Sequence, residues 1–356
     1  MALALPTTEH PSPPTAGIED RLGRFPRLRF MGSKHRLAPR LAQVFMSLPP
    51  GAAVDAFSGS GVVAYTLKAT GRSVLANDHL AFAAAIAEAT VANDRETLGP
   101  DHIELICSPN RDGRDFIART FAGLYFPHDD HAFLDSAWSH VDELQGAKRA
   151  LAIGALCLAA AWKQPRGVFT VTSLRYDDGR RQLRTPLRSL FQEAAEVFNG
   201  AVFRASGVSA TSECGEVFDI DPEPFALAYL DPPYAPPRDD TCYIKRYHFL
   251  EGLATYWRGQ KIMWETKTRK IEKRHTPFAY KRTVRPALDD LFDHFRRLTL
   301  VVSYGSNAAL DADELEALLR RHKSSVTRIE IPHRYAFGTH AGARRRAATE
   351  YIFIAM

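Results

Sequence analysis

Short apolar runs alternate with amphipathic stretches through the first quarter of the 356-residue chain. Residues 34–46 place Leu37, Leu41, Val44 and Phe45 on one face at helical spacing. Residues 53–56 and 73–76 are apolar runs bounded by turn residues and read as strands, with helical composition at 62–69 between them. The alanine-rich stretch 80–93 predicts another helix. Strand and helix in alternation predict a parallel sheet with right-handed crossovers. From about residue 97 to 199 the alternation stops, and helical segments joined by basic loops (163–167 and 175–188) take over. The apolar run 150–162 falls short of the roughly 20 residues a membrane span needs, so it predicts a buried helix. The sheet resumes at 202–204 and 225–230, then at 298–303, 325–331 and 349–354. No internal repeat is visible. The pattern is α/β and Rossmann-like, with an inserted, mainly helical lobe.

The run 225–230 leads directly into Asp231-Pro232-Pro233-Tyr234, placing this tetrad at the C-terminal end of a strand. In open α/β sheets that edge is where ligands bind. The carboxylate can accept from an exocyclic amine. The prolines fix the backbone and remove N–H donors, leaving a carbonyl to accept a second N–H, and the tyrosine ring can stack on a heterocycle. Together these groups suit the holding of a planar amine. A proline-capped strand entering a loop is the plain structural alternative.

Two upstream segments bear on that choice. Val54-Asp55-Ala56-Phe57-Ser58-Gly59-Ser60-Gly61 runs from strand through glycine-rich turn into helix, the opening of a nucleotide-binding doubly wound fold. Glycine lets the backbone approach a ligand closely. Gly71 to Asp78 gives a turn and second strand ending in an acid able to take both hydroxyls of a ribose. The spacing of Gly59, Gly61 and Ala64 also fits the dinucleotide fingerprint, so a nicotinamide or flavin enzyme is a competing reading. That fingerprint leaves Asp55, Phe57 and the tetrad unexplained. S-adenosylmethionine, with one ribose, an adenine and no pyrophosphate, fits these residues better.

At this point the chain resembles the amino-methylating DNA methyltransferases, most closely the Dam-like α-group adenine methylases. The family's aromatic-x-Gly-Gly-Lys opening matches Phe30-Met31-Gly32-Ser33-Lys34, with serine for the second glycine. Its cofactor loop matches Asp55 and Phe57 to Gly61, its ribose-binding acid Asp78, and its catalytic tetrad Asp231 to Tyr234. Tyr243, Tyr247, His248, Leu250 and Glu251 lie in a segment similar to one in methylases that accompany type IIS restriction enzymes. Ser303-Tyr304 and the strand from Glu350 resemble later family strands. The likeness runs from about Leu28 to the C-terminus and is loose between Asn93 and Asp219. It implies an S-adenosylmethionine-dependent methyltransferase fold, with a catalytic domain at 25–95 and 200–356 and a target-recognition lobe at 96–199. It also implies that Lys34 reaches the cofactor carboxylate or a phosphate. Glu213 stands about where the family often has an acid on the cofactor's adenine, although the surrounding residues depart from the usual pattern.

Charge adds a partner to this picture. The net charge of +5 is modest, but between residues 238 and 285 there are 13 Lys or Arg against five Asp or Glu. The same stretch carries Tyr243, Tyr247, Tyr256, Trp257, Trp264 and Tyr280, which suits a surface that contacts phosphates and stacks on bases. Tyr243, Lys245, Arg246, Tyr247, His248, Lys267, Arg269 and Lys270 are the candidate DNA-contacting residues. A solvated lysine-rich loop explains the charge but not the aromatics. His248 and Glu251 have the spacing of a polar pair on a helix, and residues 340–346 form a further basic loop. Cys107, Cys157, Cys214 and Cys242 show neither disulfide pairing nor zinc spacing, so the expectation is a cytoplasmic chain without a metal. Residues 1–24 are rich in Pro and Thr without an apolar signal core and read as a disordered tail.

The function that unites these features is methyl transfer from S-adenosylmethionine to adenine N6 at a specific site in double-stranded DNA, by base flipping. A cognate restriction enzyme is a possible partner, no membrane is involved, and the oligomeric state is open. Cytosine-N4 methylation, RNA adenine methylation, a catalytically dead DNA-binding module and the nicotinamide enzyme are the alternatives.

Overall fold

Alternation of side chains along each central strand feeds two apolar layers, one on either face of a single sheet. The computed structural model describes residues 14–170, 177, 179–235, 242–335 and 346–356. Among these residues the strands are β1 (Ala53–Asp55), β2 (Val74–Asp78), β3 (Ala210–Cys214), β4 (Leu227–Leu230), β5 (Thr299–Gly305), β6 (Val326–Tyr335) and β7 (Arg346–Ala355). They lie in the order β3-β2-β1-β4-β5-β7-β6. β1 pairs in parallel with both β2 and β4, whereas β7 runs antiparallel between β5 and β6. The first five strands keep the order of a doubly wound nucleotide-binding sheet. The hairpin of β6 and β7 alters only the far edge. The architecture is the Rossmann-like fold of S-adenosylmethionine-dependent methyltransferases.

Helices cover both faces. They are α1 (Pro14–Arg24), α2 (Ala38–Ser47), α3 (Val62–Ala69), α4 (Ala81–Ala87), α5 (Pro100–Cys107), α6 (Phe116–Thr120), α7 (His128–Val141), α8 (Gly146–Trp162), α9 (Leu187–Ala201), α10 (Tyr243–Thr255), α11 (Val284–His294) and α12 (Ala312–Leu319). Ala53, Val74, Tyr229 and Val301 face α2 and α3, where Leu41, Phe45 and Leu67 are buried. Val54, Leu75, Ala228 and Val302 face the other way, onto Leu288, Leu291 and Leu315 of α11 and α12. Both faces of β1, β2 and β4 are thus covered, which is why these strands read as continuous apolar runs. A third cluster joins α4, α7, α8, α9 and α10, so the helices between β2 and β3 share a core with the helix that follows the tetrad. Among the described residues no helix is long and apolar enough to cross a membrane.

Two expectations need correction. The tail expected to be disordered contains α1. Ile18 and Leu22, one turn apart, are buried against the core together with Phe25, whose ring lies 4.8 Å from that of Tyr65. A Pro- and Thr-rich composition concealed this short amphipathic repeat; residues 1–13 lie outside the described residues. The strand expected at 202–204 is absent, because Phe203 packs on Tyr65 at 5.1 Å and under the Arg21 guanidinium at 4.0 Å. The strand in its place, β3, is at the sheet edge and largely polar and exposed, so it carries no apolar signal.

The docking of α1 is testable. Leu22→Ala should cost about 2–5 kcal/mol of stability, the range for truncating a buried leucine. The urea midpoint should fall with an unchanged m-value. An unaltered midpoint would mean that the helix contributes nothing to the core.

Candidate active site

Three carboxylates gather at the C-terminal edge of the sheet: Asp55 ends β1, Asp78 ends β2, and Asp231 follows β4. Strand order reverses about β1, and such a switch point opens a ligand crevice. The crevice here is open to solvent. Phe30, Gly32, Lys34, Phe57, Gly59, Asp78 and Asp231 line it, as do Pro233 and Tyr243.

Asp78 fixes the glycine turn to the end of β2. Its carboxylate accepts from the Gly59 N–H at 2.7 Å and the Leu80 N–H at 2.9 Å. Each oxygen keeps a further lone pair. Burial raises the Asp78 pKa, with His79 opposing the rise. Gly59 has φ of +49°, and a Cβ there would meet the Phe30 ring at 2.9 Å, so the position demands glycine. Gly61, with φ of +81°, precedes α3 and does not line the crevice.

Asp55, expected to touch a cofactor, lies beneath this turn instead. It is fully buried, accepts from the Ala64 N–H at 2.9 Å, and its other oxygen has no hydrogen-bond partner among the described residues. Burial, reinforced by the charge of Asp231, pushes its pKa well above the usual carboxylate range. Glu213, expected near the adenine, is exposed on the edge strand and does not line the crevice. Its neighbour Ser212 turns towards α4, bonding the Ala84 carbonyl at 2.9 Å, and strand alternation sends Glu213 the other way.

The tetrad acid has two close partners. Lys34 Nζ lies 2.8 Å from Asp231 Oδ2 and also donates to the Gly32 carbonyl at 2.9 Å. The Tyr234 hydroxyl donates to Asp231 Oδ1 at 2.8 Å. Burial pushes the Asp231 pKa up, with Lys34 opposing. Burial also opposes a charge on Lys34, yet Asp231 and Glu350 together hold its pKa above the ordinary lysine value. Glu350 acts on both members of this buried ion pair, raising the Asp231 pKa by repulsion and the Lys34 pKa by attraction. Lys34, expected to reach the cofactor carboxylate or a phosphate, lines the crevice and pairs there with the tetrad acid. Pro232 and Pro233 are buried, and of the two Pro233 lines the crevice.

Sequence reasoning missed two residues here. Ser58 Oγ is buried, lines the crevice and lacks a partner among the described residues. Glu350, read only as the start of the last apolar strand, is 2% exposed with its carboxylate 3.4 Å from the Tyr234 hydroxyl. An acid heading an apolar strand was the available signal.

The residues expected to contact DNA divide into two groups. Tyr247 and His248 are buried, not on the surface, because α10 packs between α4 and α8 and is covered on nearly every side. The Tyr247 hydroxyl accepts from the Met31 N–H at 2.7 Å, and its ring stacks on Phe30 at 5.1 Å. His248 Nε2 meets the Phe169 carbonyl at 2.9 Å, and burial lowers its pKa to about 4. It does not pair with Glu251, which instead accepts from the Phe82 N–H and forms an ion pair with the Arg274 guanidinium. Tyr243 stacks on Phe30 at 5.3 Å at the rim. Lys245 and Lys267 are exposed, and Arg246, Arg269 and Lys270 are partly so. Lys267, Arg269 and Lys270 sit on a hairpin closed by the Ile262–Ile271 bridge. Trp264, 56% exposed at its turn, stacks against Arg269 at 5.4 Å. The basic residues 175, 238 and 340–345 lie outside the described residues.

Residues 30–108, from the Phe30 segment through the glycine turn and Asp78, match the family model described as D12 class N6 adenine-specific DNA methyltransferase. The chain is 25% identical over 329 residues to the type II methyltransferase M2.HphI of Haemophilus parahaemolyticus, covering 88% of this chain and 93% of that protein. It is 30% identical over 131 residues to the type II methyltransferase M.FokI of Planomicrobium okeanokoites, covering 36% of this chain but 19% of that protein. The modification methylase LlaI of Lactococcus lactis subsp. lactis is 30% identical over 95 residues, 27% of this chain and 14% of its own.

Asp55 provides a test of the buried-acid account. Its folded pKa is raised, so between the unfolded value of 3.8 and the folded one the native state holds a proton that the unfolded state has lost. Stability contributed by this group is full below 3.8 and declines as pH climbs through that window. Asp55→Asn keeps an acceptor for Ala64 without the charge. Its stability relative to wild type should rise from about pH 4 to about pH 7, measured as urea midpoints. A constant difference across that range would contradict the account.

Proposed function

We propose that this chain is an S-adenosylmethionine-dependent enzyme that methylates adenine N6 at a specific site in duplex DNA, drawing the target base out of the helix. The observation that carries the reading is the sharing of one crevice by Asp231 and Asp78 across the switch point. The residues present fit the cofactor. Asp78 has lone pairs to spare for two ribose hydroxyls, Gly59 leaves a cradle that a Cβ would fill, and Ser58 offers an unpartnered buried hydroxyl. When bound, S-adenosylmethionine supplies an electrophilic methyl group.

The chain's own groups would prepare the amine. Asp231 and the Pro232 carbonyl accept its two N–H bonds, which draws the nitrogen lone pair out of conjugation with the ring. The Tyr234 ring stacks on the base. Orientation of this kind is worth several kcal/mol, and the fixed carboxylate stabilises positive charge forming on nitrogen. Asp231 is only 16% exposed at the base of the crevice, so a base must leave the duplex to reach it, at a cost of a few kcal/mol. The basic hairpin around Lys267 would hold the backbone, while the helices between β2 and β3 would serve as the recognition lobe. The relatives are type II methyltransferases and a modification methylase, which favours a cognate restriction enzyme as partner.

The chemistry and the cofactor are tested together. S-adenosylmethionine at 100 times its Kd should stabilise the fold by about 2.7 kcal/mol, and NADH should not. Asp231→Ala should retain that shift while losing methyl transfer by about 100-fold or more; Asp78→Ala should lose the shift. Near-normal methylation by Asp231→Ala would reduce the tetrad to a strand cap.

The hairpin yields a separate expectation. Lys267→Gln with Lys270→Gln should weaken binding to all duplexes alike. It should also flatten the plot of log affinity against log salt, by up to about 0.9 for each phosphate no longer neutralised. A changed base preference at constant salt slope would assign base readout to this hairpin instead.

A further inference from the structure

Tyr234 carries two demands on one side chain. Its ring is the proposed stacking surface, yet its hydroxyl donates to Asp231 Oδ1 at 2.8 Å. Lys34 holds the other oxygen at 2.8 Å. An amine that is to donate to Asp231 therefore arrives at an acid with one donor already on each oxygen, which makes each a weaker acceptor for it, and the hydroxyl is the neutral and more easily displaced of the two donors. Lys34 is fixed by a second bond to the Gly32 carbonyl and by burial.

A second acceptor stands beside the hydroxyl. Glu350 Oε2 is 3.4 Å away, on β7 opposite Gly305 of β5. Gly305 provides the room: a Cβ there would lie 3.0 Å from the Tyr234 ring and 3.6 Å from Glu350 Oε2. Behind the ring, Tyr304 supports it at 5.1 Å. A displacement of roughly half an ångström would bring the hydroxyl to ordinary hydrogen-bond length from Glu350, without the ring leaving its place. A buried carboxylate is costly to keep unless it has donors or a countercharge, and Lys34 supplies charge to Glu350 as well as to Asp231.

We propose that Glu350 is a positioning residue for methyl transfer, taking the Tyr234 hydroxyl from Asp231 as the target amine arrives. Asp231 Oδ1 is then released to accept from the amine, while the tyrosine ring remains in register to stack. The inference rests on the adenine-methylation reading of this crevice.

The test is a double-mutant cycle on the full chain with S-adenosylmethionine and duplex DNA. Glu350→Gln weakens the acceptor without changing its volume and should lower kcat by about tenfold, with the cofactor-induced Tm shift unchanged. In the Tyr234→Phe background the same substitution should alter kcat by less than about twofold, because the hydroxyl it acts through is gone. Equal losses in the two backgrounds, or full activity in Glu350→Gln, would overturn the proposal. If Glu350→Gln does not fold, Glu350→Asp takes its place in the same cycle, since it withdraws the acceptor from the hydroxyl while keeping the charge: a loss of kcat that disappears in the Tyr234→Phe background supports the handover, and an equal loss in both backgrounds or no loss in either overturns it. A wild-type chain that transfers no methyl group to DNA overturns the adenine reading and this inference with it. Activity in the wild type with no coupling between the two sites overturns the inference only.

Discussion

Parallel pairing of β1 with both β2 and β4 brings three strand ends, and with them three buried or half-buried carboxylates, to one edge of the sheet. Carboxylates at such a spacing repel one another and resist desolvation. Each of the three has a different remedy. Asp78 is tied down by two backbone N–H groups, Asp55 by one, with its pKa driven up, and Asp231 by the Lys34 ammonium. That ion pair anchors residues 30–34 over the crevice. It also makes the tetrad dependent on a segment almost two hundred residues upstream.

A ladder of rings reinforces the same closure. Phe30 lies between the turn at Gly59 and the rings of Tyr243 and Tyr247 on α10. The glycine turn, the N-terminal segment and the helix after the tetrad therefore meet at one side chain. Arg274 extends the link on the other side, bridging Glu251 of α10 to the backbone of His79, next to Asp78. In the proposed function this packing connects the cofactor side of the crevice to the hairpin that faces DNA. Fixed geometry of this sort supplies orientation before any substrate arrives.

Much of this is legible in sequence, for reasons that can be named. The strands buried on both faces, such as β4, are apolar runs, and the turn at Gly59 to Gly61 needs residues that tolerate positive φ. Both leave marks that periodicity and residue type reveal. Edge strand β3 escapes such a reading because its polar, exposed residues carry no apolar pattern. Tyr247 and His248 resemble surface groups in sequence because neighbouring lysines and arginines suggest solvent, whereas helix packing on several sides buries them. Glu350 stays hidden because nothing local shows that β7 is inserted beside β5, which brings its carboxylate to Tyr234. Contacts between distant segments set these roles, and a local reading sees only one partner of each.

The central claim is that the acid, prolines and tyrosine after β4 methylate an exocyclic adenine amine in DNA. The most direct test is base-resolution mapping of modified nucleotides in DNA from cells expressing the chain, against cells expressing Asp231→Ala. The account predicts N6-methyladenine at one recurring sequence in the first sample and its absence from the second. N4-methylcytosine in place of N6-methyladenine, or the same adenine mark in both samples, would contradict it.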